Sequence, residues 1–300
     1  MPDYLLTEEL QREARHCFKQ LAKVFGGVSD NQKSLPIAVK EHLASKDIRS
    51  NSLATLKSSL KSFAAFYPDE TVQSITCEKI DAWMAAGDYA AKSRKNRLTN
   101  LKSFFSRCVK RGQIEKDPTM GVEIPMVDYK PPQIMPVADV GKLLLACQKS
   151  DPALLGYLAL ILFGGLRSKE SARVKPENVH DGIVDIGGAA TKLNVRRCFP
   201  IQPVLSDWLD VPGVEIGGKN IYARFVALRK LAGVDVPDNG LRHTAVSCWL
   251  PILGAEKCAA MHGHSPSIMM KHYASLVTKE DAEKYIALRP APQTTAKSNP

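Results

Sequence analysis

The stretch MHGHSPSIMMKHYASL, Met261–Leu276, places a Gly-His pair ahead of a tyrosine, with His264 and Tyr273 nine residues apart. Its meaning depends on which other polar residues the chain can gather around it. Three further segments carry polar side chains that a packed core has no need of. GGLRSKE sets Arg167 after an apolar helix, at a Gly-Gly turn, with Glu170 three residues on. ATKLNVRRCFPI sets Lys192 at the turn of a predicted hairpin, and PDNGLRHTAVSCWL opens a helix with Asn239 ahead of Arg242 and His243. Taken singly, each has an ordinary structural reading. Arg167 reads as a surface arginine, Lys192 as a turn lysine, Asn239 as an N-cap, and Tyr273 as a half-buried aromatic with a wet hydroxyl.

Taken together they suit one chemistry. Two arginines and a histidine can hold the non-bridging oxygens of a phosphodiester, since guanidinium forks match phosphate geometry and stay charged at working pH. A tyrosine hydroxyl can then attack phosphorus and keep the energy of the broken bond in a covalent ester. A lysine on a hairpin can protonate the leaving oxygen. The arginines meet the charge that a divalent cation would otherwise stabilise, so neither a metal nor another cofactor is expected. His262, His264 and His272 lack the carboxylate or thiolate partners of a metal site.

This ordered set, Arg167 in GGLRSKE, Lys192 before a strand ending in Phe-Pro-Ile, Arg242 in GLRHT, His264 in HGH and Tyr273 beyond, resembles the tyrosine recombinase (phage integrase) family. The resemblance implies a mainly α fold with a small β-sheet: a helical core-binding domain plus an α+β catalytic domain, closing as a clamp on duplex DNA. It also implies strand exchange through a 3′-phosphotyrosyl link by a tetramer on paired DNA sites. Carried over, Arg167 and Arg242 bind the scissile phosphate, Lys192 is the general acid, His264 hydrogen-bonds the phosphate, Tyr273 is the nucleophile and Glu170 supports Arg167. One position departs. The family has His-x-x-Arg where this chain has Asn239, and an amide cannot take a proton near neutral pH. His243, on the far side of Arg242, is expected to point elsewhere.

Composition agrees with a DNA partner. Lys and Arg number 41 against 31 Asp and Glu, a formal net charge of +10 that attracts polyanions. The helix AAKSRKNRLTNLKSFFSRCVKR carries Lys92, Arg94, Lys95, Arg97, Lys102, Arg107, Lys110 and Arg111 with no acidic residue between Ala90 and Arg111. Solvated faces usually mix both signs, so this one is read as a phosphate-contacting face. Seven scattered cysteines without a C-x-x-C pair indicate reduced thiols in a cytosol. The run ALLGYLALILFGG is too short to span a bilayer, so no membrane partner is expected, and the place of action is the bacterial cytosol or nucleoid, or a virus.

Along the chain, periodicity and punctuation predict an N-terminal helical arm (1–34) and a bundle of about four helices (35–122). A four-proline linker (123–136) follows, then a mostly helical domain with two short strands near 183–201 (137–286) and a disordered tail (287–300). In VTKEDAEKYIALRP, Thr278 offers an N-cap, and Ala282, Tyr285 and Ile286 form a narrow apolar face. The resemblance implies that this helix docks on a neighbouring protomer once DNA is bound. Two rival readings use the same residues: a type IB topoisomerase-like relaxer, and a DNA-binding protein that has kept the clamp and lost turnover, with Asn239 as its symptom. A helical interaction module with chance matches is a third. The retained tyrosine speaks against the last two, because a clamp has no use for a nucleophile.

Overall fold

The computed structural model describes residues 32–45, 50–188 and 196–292, with Glu13 and Cys17 besides. The expected N-terminal arm therefore lies almost wholly outside the described residues. The chain forms two compact units, residues 1–129 and 130–300.

In the first unit four helices pack together: α1 (Leu35–Ala44), α2 (Ser50–Phe66), α3 (Cys77–Ala85) and α4 (Ala91–Lys110). Pro36 opens α1, where a missing N–H does no harm, and the Thr76 hydroxyl caps α3 by accepting from the Lys79 N–H. The three-to-four spacing turns Leu56, Leu60 and Phe63 of α2 inward against Leu98, Leu101, Phe105 and Cys108 of α4. Edge-to-face aromatic pairs fill the middle, with Phe63 5.1 Å from Trp83 and 6.2 Å from Phe105.

The second unit surrounds a helix, α6 (Leu155–Leu162), every residue of which is buried. A helix apolar on all sides must be central, and α5 (Val137–Ser150), α8 (Pro203–Leu209), α9 (Ile221–Ala232) and α10 (Gly240–His262) lie in the same unit. The expected strands pair antiparallel: β2 (Ile183–Ile186) meets β3 (Arg197–Pro200) with Val184 opposite Phe199 and Ile186 opposite Arg197. An unanticipated short strand, β1 (Val179–His180), flanks β2 and gives the order β1-β2-β3. The connection that carries Lys192 lies outside the described residues. The expected helix end near residue 253 coincides with a break at Gly254, whose φ is 75°; a second helical segment, counted here with α10, continues to His262. Among the described residues no helix is long and apolar enough to cross a membrane.

Two C-terminal segments pack on their own chain. The helix α12 (Lys279–Ile286) is capped by Thr278 as expected, yet its apolar face is covered by its own chain. Ala282 and Tyr285 are fully buried, and the Tyr285 hydroxyl donates to the Leu162 carbonyl. Two large contacts suffice because Tyr285 reaches the centre of the unit. The first residues of the expected disordered tail, 287–292, are also held. The Trp208 indole N–H donates to the Leu288 carbonyl, Arg289 pairs with Asp207 at 2.8 Å, and Ala291 exchanges two 2.9 Å hydrogen bonds with the Gln148 amide.

Candidate active site

The site begins where α6 ends. Gly165 turns the chain with φ 63°, and a Cβ there would lie 1.9 Å from the His262 ring, so only glycine admits this approach. The next turn, α7 (Ser168–Ser171), starts at Arg167. Glu170 reaches back to accept from the Arg167 N–H at 3.0 Å and its guanidinium at 2.7 Å, and from Arg197 at 3.1 Å. Burial alone would raise the Glu170 carboxyl, but these donors outweigh it and hold it below the usual range. Glu170 therefore remains an anion that orients two arginines.

Arg242, in the first turn of α10, is buried. One arm of its guanidinium donates to the Gly165 carbonyl, and the other donates to the His262 carbonyl at 2.6 Å and meets His264 Nε2 at 3.0 Å. Burial, with Arg167 and Arg197 nearby, pulls it down to about 9, so it stays charged at neutral pH. His264 is pushed down to about 4 by burial and then by the same arginines, and is neutral. Because an arginine N–H can only donate, Nε2 of this neutral ring carries the lone pair and Nδ1 the hydrogen. That Nδ1 is buried without a partner among the described residues.

Tyr273 closes α11 (Pro266–Tyr273), whose first turn is capped by the Ser265 hydroxyl. Its ring lies between two imidazoles: stacked on His264 at 5.9 Å and tilted against His243 at 5.8 Å. Its hydroxyl is 3.0 Å from His243 Nδ1.

Thus Arg167, Glu170, Arg242, His264 and Tyr273 are drawn into one linked cluster. Lys192 lies outside the described residues. Asn239 is present at the start of α10, but exposed, in the left-handed region with φ 56° and without a capping bond from its side chain. The expected cap fails because a left-handed residue does not hold its side chain over the following N–H groups as an extended one does. The expectation for His243 is also corrected. A helical step of one residue does carry it round from Arg242, and α11 packs Tyr273 on that side.

The sequence reading gave neither Arg197 nor His262 a place in the site. Arg197 lies in the site, donating to Glu170 and, at 3.1 Å, to the His262 carbonyl. Strand alternation was the available signal, since Arg197 shares the inward face with Phe199 while Arg196 turns out to Asp185. His262 is fully buried, with Nδ1 2.8 Å from the Cys258 carbonyl, and burial pushes its imidazole down to about 3. An unfolded histidine titrates near ~6.5. Between those values the unfolded chain binds the extra proton, so stability falls as pH falls. From about pH 7.5 to about pH 5, His262 alone should remove about 2 kcal/mol of unfolding free energy. Denaturant unfolding at both pH values checks this, and equal midpoints would contradict its neutral burial.

The basic residues of α4 divide in two. Lys92, Arg94 and Lys95 are exposed and Lys102 is half-buried. Arg97, expected at phosphate, is half-buried, stacks on the Tyr89 ring at 3.8 Å and approaches Trp83 at 5.5 Å. Its position falls toward the core side of the helix, where a cation over an aromatic face is the accessible partner. Arg107 is half-buried and donates to the Ser45 hydroxyl.

No protein-family model matches the chain. Over 158 residues, 49% of its length, it is 30% identical to the tyrosine recombinase XerD of Pseudomonas aeruginosa, covering 52% of that protein. It is likewise 30% identical over 125 residues to the tyrosine recombinase XerC of Vibrio atlanticus, across 40% of this chain and 39% of that one. The chain thus spans about half the length, or less, of these curated relatives. Among solved structures it is similar to a lambda integrase in a tetramer bound to a Holliday junction, with a TM-score of 0.66, 17% identity and 90% of each chain covered. It is also similar to the Tn1549 transposon integrase in complex with circular intermediate DNA, with a TM-score of 0.60, 15% identity, and 84% of this chain and 98% of that one covered. At such identities the structural likeness establishes the fold. The resemblance to the tyrosine recombinases is borne out, in sequence over about half the chain and in fold over most of it. So is the mainly helical class with a small sheet.

Proposed function

We propose that this chain is a tyrosine recombinase, an enzyme that cuts and rejoins duplex DNA at specific sites and so integrates or excises a mobile element. Arg167 and Arg242 hold the scissile phosphate, His264 donates to it, and Tyr273 attacks phosphorus to leave a 3′-phosphotyrosyl link and a free 5′ hydroxyl. Lys192 protonates that leaving oxygen, Glu170 keeps Arg167 in place, and a tetramer on two paired DNA sites completes the exchange in the cytosol. The observation that carries this reading is the convergence of a buried charged guanidinium, a neutral imidazole with an uncommitted N–H and a tyrosine hydroxyl in one cluster. Donors held in place before the reaction need little reorganisation as charge develops.

The test uses a duplex selected by the protein from a random-sequence pool. Two copies of this duplex should yield recombinant product. Relaxation of supercoiled plasmid without site preference would instead favour the topoisomerase reading, and binding without any strand cleavage would favour the inactive clamp.

Electrostatics adds a prediction for residues 35–122 of the first unit, read as the core-binding domain. Each lysine or arginine that meets a phosphate should add about −0.9 to the log–log salt slope of duplex binding. Replacing Lys92, Arg94 and Lys95 with Gln should flatten that slope. Arg97→Gln should lower the unfolding midpoint of the unit and leave the slope nearly alone. An unchanged slope in the triple variant would mean that this face is solvated.

A further inference from the structure

Asn239 cannot accept a proton near neutral pH, which leaves the phenol of Tyr273 without a base at the position where the sequence reading looked for one. We infer that His243 is the general base of the reaction: its Nδ1, 3.0 Å from Tyr273 Oη, holds the phenol hydrogen and takes it as the oxygen attacks phosphorus. This assignment rests on the recombinase reading.

The placement has a local cause. His243 follows Arg242 in the first turn of α10, so one turn of helix presents the phosphate ligand and, about 100° round, the partner of the nucleophile. The contact lies at the heart of the range required for proton transfer, ~2.6–3.2 Å between heavy atoms. The Tyr273 ring is buried and packs near both the His243 and His264 imidazoles, which restricts its movement away from that contact. The hydroxyl is thus oriented as well as deprotonated.

The ionisation state agrees. Burial, and then Arg242, hold the His243 imidazole below its ordinary value, so it is neutral at working pH and can present a lone pair at Nδ1. The titratable groups beside the pair are Arg242 on the same helix, which is charged, and His264 on the segment packed against it, which is neutral. Arg242 disfavours the imidazolium in the empty site. A bound phosphodiester brings a negative charge that offsets this, so the base gains strength when substrate is present.

The proton balance closes. Attack forms the bond from Tyr273 Oη to phosphorus and breaks the bond from phosphorus to the 5′ oxygen. The phenol proton passes to His243 Nδ1, and the departing oxygen takes a proton from the general acid, assigned to Lys192. In rejoining, the 5′ hydroxyl returns its proton to the neutral amine left on Lys192 and attacks phosphorus, the bond from phosphorus to Tyr273 Oη breaks, and the His243 proton returns to the leaving phenolate.

His243→Asn is the informative variant, because its amide stands near the place of Nδ1 and can hydrogen-bond the phenol without taking its proton. Single-turnover adduct formation on nicked duplex should slow by ~10²-fold or more, with DNA affinity and the unfolding midpoint unchanged. Incorporating 3,5-difluorotyrosine at position 273, whose phenol is more acidic, should recover ~tenfold or more of that loss, because an acidic nucleophile needs less help from a base. His243→Ala with the same substitution repeats the test should the asparagine variant fold poorly. A deficit that the fluorinated residue does not reduce would show that His243 only packs against the ring, and an undiminished rate would show that it has no role. Either result overturns the assignment while the recombinase reading stands. A wild type that forms no adduct would overturn both.

Discussion

Replacing Tyr273 with Phe should abolish covalent attachment to DNA while leaving DNA affinity nearly unchanged. The change removes one oxygen. The phenylalanine ring still fits between His264 and His243, and the buried face of α11 is preserved. What is lost is the nucleophile and its hydrogen bond to His243, a stability cost of about 1 kcal/mol by the usual net value of such a bond. Denaturing gels measure the adduct and filter binding the affinity. Attachment that persists in the variant would move the nucleophile elsewhere, first to Tyr222, which is 82% exposed on α9.

The second large effect belongs to the arginines. Arg167→Ala and Arg242→Ala should each slow cleavage by on the order of a hundredfold or more, as when a donor aimed at developing charge is removed. They should differ in stability. Arg242 is buried and satisfies the carbonyls of Gly165 and His262, so its removal strands two acceptors at about 1–3 kcal/mol each. Arg167 is more exposed and shares Glu170 with Arg197, so its loss leaves that carboxylate with a partner. Arg242→Lys should not restore the rate, because an ammonium lacks the planar fork that reaches both carbonyls and His264. Near-normal cleavage in any of these variants would contradict the phosphate clamp.

How far these residues could be read from the sequence follows from the range of each interaction. The core of the first unit was legible because Leu98, Leu101, Phe105 and Cys108 recur at helical spacing and Phe63 follows Leu60 and Leu56 in the same way. The Arg167–Glu170 pair was legible too, because its partners stand three residues apart at a helix start. Arg197 was not, since its partners Glu170 and the His262 carbonyl lie 27 and 65 residues away. His243 was misread for a related reason. Helical geometry says that it diverges from Arg242, and only the packing of α11 decides that Tyr273 awaits it there. The failed cap at Asn239 and the covered face of α12 share this cause: backbone conformation and burial were settled by tertiary contacts that local propensity does not contain.

The central claim is that Tyr273 carries the DNA. The most direct measurement is to trap the wild-type protein on a nicked duplex of its selected sequence, trim the DNA with nuclease and identify the modified peptide by tandem mass spectrometry. The account predicts a nucleotide joined through its 3′ phosphate to Tyr273. A nucleotide on Tyr222 or any other residue, a 5′ linkage, or an unmodified peptide despite tight binding would contradict it.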